Sequence, residues 1–155
     1  MFVKYELWLV ATAVAISTLL LICAHASASS LDDSPTALAA LQAKADQAQP
    51  RDKCFLYAKL VSQMTDLAGR QFNSGESGQA SETLKLVQQY AEKIHIGVAD
   101  DSKRLKDAEL LIQRTSFRLQ DIRNEASYED RQTLEATLKQ LNQVQTQLMT
   151  QVFKK

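Results

Sequence analysis

LKLVQQYAEKIHIGVADDSKRLKDAELLIQRTSFRLQDIRNEA, residues 84–126, is the stretch whose reading decides the fold. Apolar or small residues recur at Leu84, Val87, Ala91, Ile94 and Val98, then at Leu105, Ala108, Ile112, Thr115, Leu119, Ile122 and Ala126. Steps alternating between three and four keep one stripe of a helix turned toward a neighbouring helix. The phase survives the gap, since Val98 and Leu105 are a heptad apart with Asp101 between them. The stretch therefore reads as helix packed lengthwise, either one rod over about 79–126 or two helices broken near Gly97 to Asp101. A single rod would be about 70 Å long at 1.5 Å per residue. Lys93 and His95 before Gly97 have the character of a helix end, and Asp100 and Asp101 that of a helix start. Leu110, Leu111 and Phe117 add a second apolar strip, which asks for neighbours on two sides and favours the broken, compact form.

Upstream, the glycine-rich turn Asn73-Ser74-Gly75-Glu76-Ser77-Gly78 separates this stretch from an earlier helix, and a turn of that length predicts an antiparallel hairpin. That helix, with Asp52 as its cap, runs to about Phe72. Cys54, Ala58, Val61, Thr65, Ala68 and Phe72 form one stripe, with Leu56, Leu60 and Leu67 beside it. Further upstream, Ser34 and Pro35 are an N-cap and a first helical residue. They open an alanine-rich helix over 36–48 whose apolar side, Leu38, Leu41 and Ala45, is thin; Pro50 is read as its end. Downstream, Ser127 with Asp130 is similar to a capping box. The last helix then runs to about Phe153 with Leu134, Leu138, Leu141, Leu148 and Val152 on one face, interrupted only by Gln145. No charge occurs between Lys139 and Lys154, and Gln140, Gln143, Gln147 and Gln151 lie along one side. These amides read as a solvated face or as a contact surface for another chain, where no charge has to be desolvated.

The expected fold class is all-α, antiparallel helical hairpins forming a four- to five-helix bundle. Residues 52–155 are the bundle domain, and 29–51 a linker with a loosely held short helix. No strand of convincing length and no internal repeat is found.

Residues 1–28 carry a targeting pattern. Lys4 precedes a nearly uninterrupted apolar run from Leu7 to Cys23, and Ala24-His25-Ala26 and Ala26-Ser27-Ala28 both fit the A-x-A cleavage pattern. Cleavage is expected after Ala26 or Ala28. The alternative is an uncleaved anchor over residues 7–24, since about 18 apolar residues suffice to span a bilayer. Either way Lys4 before the segment and Asp32 and Asp33 after it place the body outside the cytoplasm, in the periplasm or secreted. Ile22 is bulky where lipoprotein signals resemble one another in having a small residue before the cysteine, which argues against lipid attachment at Cys23.

Eighteen basic and eighteen acidic residues cancel, so no overall field draws the chain to nucleic acid, and no nucleic-acid partner is expected. Membrane contact is expected only through the N-terminal segment if it is not processed. Lys103, Arg104, Lys106, Arg114 and Arg118 form the most basic patch, but Asp107, Glu109 and Asp121 intersperse it at the spacing of ordinary intrahelical ion pairs.

Few residues suggest chemistry. Cys54 is the only cysteine after position 28, a free thiol or one half of an intermolecular disulfide, although its stripe position favours a small buried residue. Glu92-Lys93-Ile94-His95 resembles the Glu-x-x-His motif of di-iron carboxylate bundles, which use two such motifs and two further glutamates. His95 is the only histidine after position 28, so one chain cannot complete that set. Met64 with His95 is similar to the axial pair of small cytochrome bundles, whose C-x-x-C-H attachment is absent here. Leu67 to Phe72 with Ala80 and Leu84 is similar to a tetratricopeptide unit, but the spacing is shifted, the tryptophan is missing and only one copy is present. No Ser-His-Asp set and no phosphate-binding glycine loop exists, so catalysis and cofactors are not expected. The function expected is a non-enzymatic interaction or structural protein of the periplasm or cell envelope, self-associating through its heptad faces. The alternative is a metal- or haem-binding bundle using His95 with Glu92 or Met64.

Cleavage removes Trp8, the only tryptophan, and leaves Tyr57, Tyr90 and Tyr128. Exported protein from its own host is expected to begin at Ser27 or Ser29 by intact mass and to fluoresce as tyrosine only. Tryptophan emission from that material would establish the anchored form instead.

Overall fold

Every regular element is a helix in the computed structural model, which describes residues 34–94 and 102–154. The elements are α1 (Pro35–Gln47), α2 (Pro50–Asn73), α3 (Ser77–Glu92), α4 (Ser102–Glu125) and α5 (Tyr128–Val152). The cleavage positions Ala26 and Ala28, the apolar segment 7–24, His95, Val98 and the expected break at 97–101 lie outside the described residues.

Local chemistry explains the helix ends. Ser34 caps α1, its hydroxyl accepting from the Ala37 N–H at 3.2 Å, and Pro35 supplies a preset first φ. Pro50 does the same for α2. It begins that helix instead of ending the previous one, while Gln49 takes the N-cap and Asp52 lies in the first turn. A proline lacks only an N–H that the first turn leaves unpaired anyway, so it suits that position. The end of α2 is a Schellman motif: Glu76 N–H reaches Gln71 O at 2.8 Å, Gly75 N–H reaches Phe72 O at 3.0 Å, and Gly75 has φ +77. That left-handed residue is where glycine is needed. At α5, the Ser127 hydroxyl accepts from the Asp130 N–H at 3.3 Å.

The 79–126 stretch is not one rod. Helix α3 stops at Glu92, with Lys93 as C-cap, and Lys93 and Ile94 bond back to Tyr90 and Ala91 at 3.1 Å. The stop comes earlier than the Gly97 signal suggests, and Ile94 is still buried at 2% exposure. Its stripe position thus contributes to the core without being helical.

Helices α2, α3, α5 and α4 form a ring in that order, with α1 packed on α2. The sense of each neighbour follows from cross-helix pairs. Asp52 meets Arg104, Asp66 meets Arg118, and Gly69 meets Ile122, so α2 and α4 ascend together and are parallel. Ser77 meets Asp130 and Gln88 meets Thr137 and Gln140, so α3 and α5 are parallel as well. Two antiparallel hairpins, α2–α3 and α4–α5, are therefore stacked in the same sense. The Asp66–Arg118 and Gln88–Gln140 pairs are each 52 residues apart in sequence. This structural duplication has no counterpart in residue identity, which is why no repeat is legible along the chain.

The core runs through the stack: Leu84, Val87, Ile112, Leu119, Leu134, Leu141 and Leu148 are all fully buried, with Val61 and Ala68 from α2. Each such aliphatic side chain contributes roughly 1.5–3 kcal/mol by leaving water. On α5 the buried stripe is not quite the one expected, since Thr137 and Val144 are buried while Leu138 is only partly so. The second strip on α4 is not a second buried edge. Leu111 is half-buried, but Leu110 is 43% and Phe117 60% exposed. Helix α4 has α2 and α5 as neighbours, and no third helix covers that side among the described residues.

Leu141→Ala is expected to cost about 2–5 kcal/mol in urea unfolding, because Leu141 is fully buried and its truncation opens a cavity in the core. Leu86→Ala, at a half-open position on α3, is expected to change stability by no more than about 0.5 kcal/mol.

Candidate functional site

The residues singled out from sequence are dispersed. Cys54 is 2% exposed on the inner side of α2, and burial pushes its thiol up to about 11. A protonated, enclosed thiol is a poor nucleophile and a poor disulfide partner until α2 opens. Met64 is 6% exposed on the same helix. Glu92 is exposed at the end of α3, accepting a long contact from Gln140 Nε2 at 3.4 Å. Among the described residues no three His, Cys, Asp or Glu side chains gather as a metal would require.

Two residues of the basic patch make interhelical pairs. Arg104 reaches Asp52 at 3.4 Å and lies over the Phe55 ring at 4.9 Å, and Arg118 pairs with Asp66. These contacts fasten α4 to α2. The α3–α5 seam uses neutral groups: Gln88 Nε2 donates to Thr137 Oγ1 at 2.7 Å and Gln140 Nε2 to Gln88 O at 2.9 Å. Gln140, read as part of a solvated or partner-facing row, is thus occupied within the chain. Gln145 is occupied too, donating to Glu109 at 3.2 Å. Gln143 and Gln147 are exposed.

One titratable cluster was not foreseen. Tyr57, 1% exposed, donates its phenolic hydrogen to Asp46 of α1. Its ring stacks with Tyr90 of α3 at 6.2 Å between centroids, and the Lys93 ammonium sits 5.6 and 5.5 Å from the two rings and 3.7 Å from Asp46. The Tyr57 hydrogen bond holds the Asp46 carboxyl below its usual range against some desolvation, and Lys93 adds to it. Burial first, then the Asp46 hydrogen bond and charge, push the Tyr57 phenol up to about 12. With the phenol enclosed and its proton committed, the cluster is a clasp holding α1 against α2 and α3. Along the chain Tyr90 and Lys93 are three residues apart, one helical turn, but nothing local links them to Tyr57 or Asp46.

A second feature is a groove on the outer side of the α4–α5 hairpin. Gln113, Ser116, Phe117 and Gln120 from α4 face Leu138, Asn142 and Gln145 from α5. No lining residue is charged. Ser116 Oγ is buried without a hydrogen-bond partner there, which is unusual for an interior hydroxyl. The groove continues past Leu138 and Asn142 to Arg123, Glu135 and Lys139. Leu110 and Met149, each 43% exposed, belong to the same two helices.

No protein-family model matches the chain, and no curated protein or solved structure matches it either.

An unfolded tyrosine ionises near 10, so the contribution of the neutral Tyr57 phenol is complete below pH 10 and declines as pH rises toward 12. Asp46, being depressed, contributes above its ordinary 3.8 and loses that contribution as pH falls below it. Thermal unfolding is therefore expected to weaken between pH 10 and 12. Tyr57→Phe should flatten that alkaline limb; an unchanged limb would show that the clasp carries no proton linkage.

Proposed function

We propose that the protein acts by binding and not by catalysis, as an exported helical interaction protein of the periplasm or cell envelope. The single observation that carries this is the outer face of α4–α5, where Phe117, 60% exposed, lines a groove with no charged lining residue. An exposed aromatic side chain set in an uncharged groove is characteristic of interaction surfaces. The heptad stripes themselves are not free for a partner, because Leu84, Val87, Ile112 and Leu119 are spent inside the bundle. Export is supported by the pattern in residues 1–28, with Lys4, the apolar run from Leu7 and the small residues up to Ala28.

Cross-linking of the exported protein in intact cells, followed by purification, tests this. Specific adducts are expected with the native chain and are expected to be lost with Phe117→Glu. That substitution is at an exposed position, so helicity by circular dichroism should not change. Equal adducts from both would remove the α4–α5 face from the proposal, and absence of adducts from the native chain would end it.

A further inference from the structure

We infer that the α4–α5 face is occupied by a second copy of this chain, related by a two-fold axis running along the helices. This deepens the interaction role proposed above and rests on it. The geometry and charge of the face select that occupant. An axis parallel to α4 and α5 lays each α4 over the partner copy's α5 at unchanged height. Because α4 and α5 are antiparallel, the new neighbours are antiparallel too, an arrangement favoured by the helix dipoles.

Height is read from contacts within one chain. Phe117 shares its groove with Leu138 and Asn142, and Arg123 shares the upper groove with Glu135. Under the axis, Phe117 therefore meets the partner copy's Leu138 and Asn142. Each Glu135 is thereby brought to the level of the partner copy's Arg123, with Lys139 in the same upper groove, so the junction sets each acidic group against basic ones. The centre carries amides, each both donor and acceptor, which is the polar chemistry that can pair with its own image. Ser116 Oγ, without a partner in the monomer, lies in this same groove. A partner of strong charge finds no matching field in the centre. Two copies of this chain do not repel each other, since its eighteen basic and eighteen acidic residues cancel. An isologous contact closes on itself and does not propagate into a fibre.

Sedimentation velocity of the exported protein over a concentration series tests the inference. A monomer–dimer equilibrium is expected for the native chain. Phe117→Glu, which places two carboxylates against the dimer centre, should raise the dissociation constant on the order of 100-fold or more while leaving the helical signal intact. Arg123→Glu should weaken the dimer by about 10-fold, and adding Glu135→Arg should restore it. Mixing Arg123→Glu chains with Glu135→Arg chains should give a heterodimer tighter than either homodimer, a result that an intrachain pair would not produce. A native chain that is monomeric throughout the series overturns the inference, as does a Phe117→Glu dimer of native affinity. Should the chain be monomeric yet still give cellular adducts lost with Phe117→Glu, the interaction role stands and self-pairing falls. Absence of both ends both.

Discussion

Everything in this protein depends on one constraint: each helical hairpin has a face it cannot leave in water, and the two hairpins meet this by stacking in the same sense. Leu84 and Val87 from the first hairpin and Ile112, Leu119, Leu141 and Leu148 from the second are buried together in the resulting core. A parallel stack of antiparallel hairpins places the α3 end and the α4 start at the same end of the bundle but on opposite corners of the ring. Ile94, the last described residue after α3, remains part of the core at that end.

The two parallel seams solve the same geometric problem with different chemistry. Between α2 and α4, Asp52–Arg104 and Asp66–Arg118 combine with Gly69, where the Ile122 tip stands 3.0 Å from the place a Cβ would occupy. The ion pairs are partly exposed and individually worth little, so their role is to set the level at which the helices meet. Between α3 and α5 the level is set by amides and hydroxyls, Gln88, Thr137 and Gln140, together with the Asp130 carboxylate that receives both Ser77 and Ser127. Neutral pairs avoid burying charge along a seam that lies closer to the core. Helix α1 stands outside this ring. It is attached by Leu38, Ala45 and the Asp46–Tyr57 bond, which makes its hold sensitive to single groups in a way that the bundle is not.

Function follows from which surface the stack leaves over. Four helices in a ring consume their heptad stripes, so what distinguishes the molecule is the hairpin side with no further layer upon it. There Phe117 stands among amides in a groove with no charged lining residue. This surface is the ground for the association role proposed above. It lacks a convergent set of titratable groups, and the one such cluster in the described residues, around Tyr57, is enclosed and holds its proton tightly.

How much of this was legible along the chain depends on what periodicity can carry. The sequence by itself determined that the body is helical, roughly where four of the helix ends fall, and that Leu84, Val87, Ile112, Leu119 and Leu141 are interior, because a 3.6-residue period marks a face. Ser34, Gly75 and Ser127 were readable as caps and a turn because their chemistry acts within a few residues. Only the tertiary structure decided that the hairpins stack parallel, that Arg104 and Arg118 answer Asp52 and Asp66, that Gln140 is spent within the chain, and that Phe117 remains outside. A period tells a helix which side to hide, but not how many neighbours arrive to hide it. That number is a property of the whole packing, and here it is one fewer on α4 than its two apolar strips would fill.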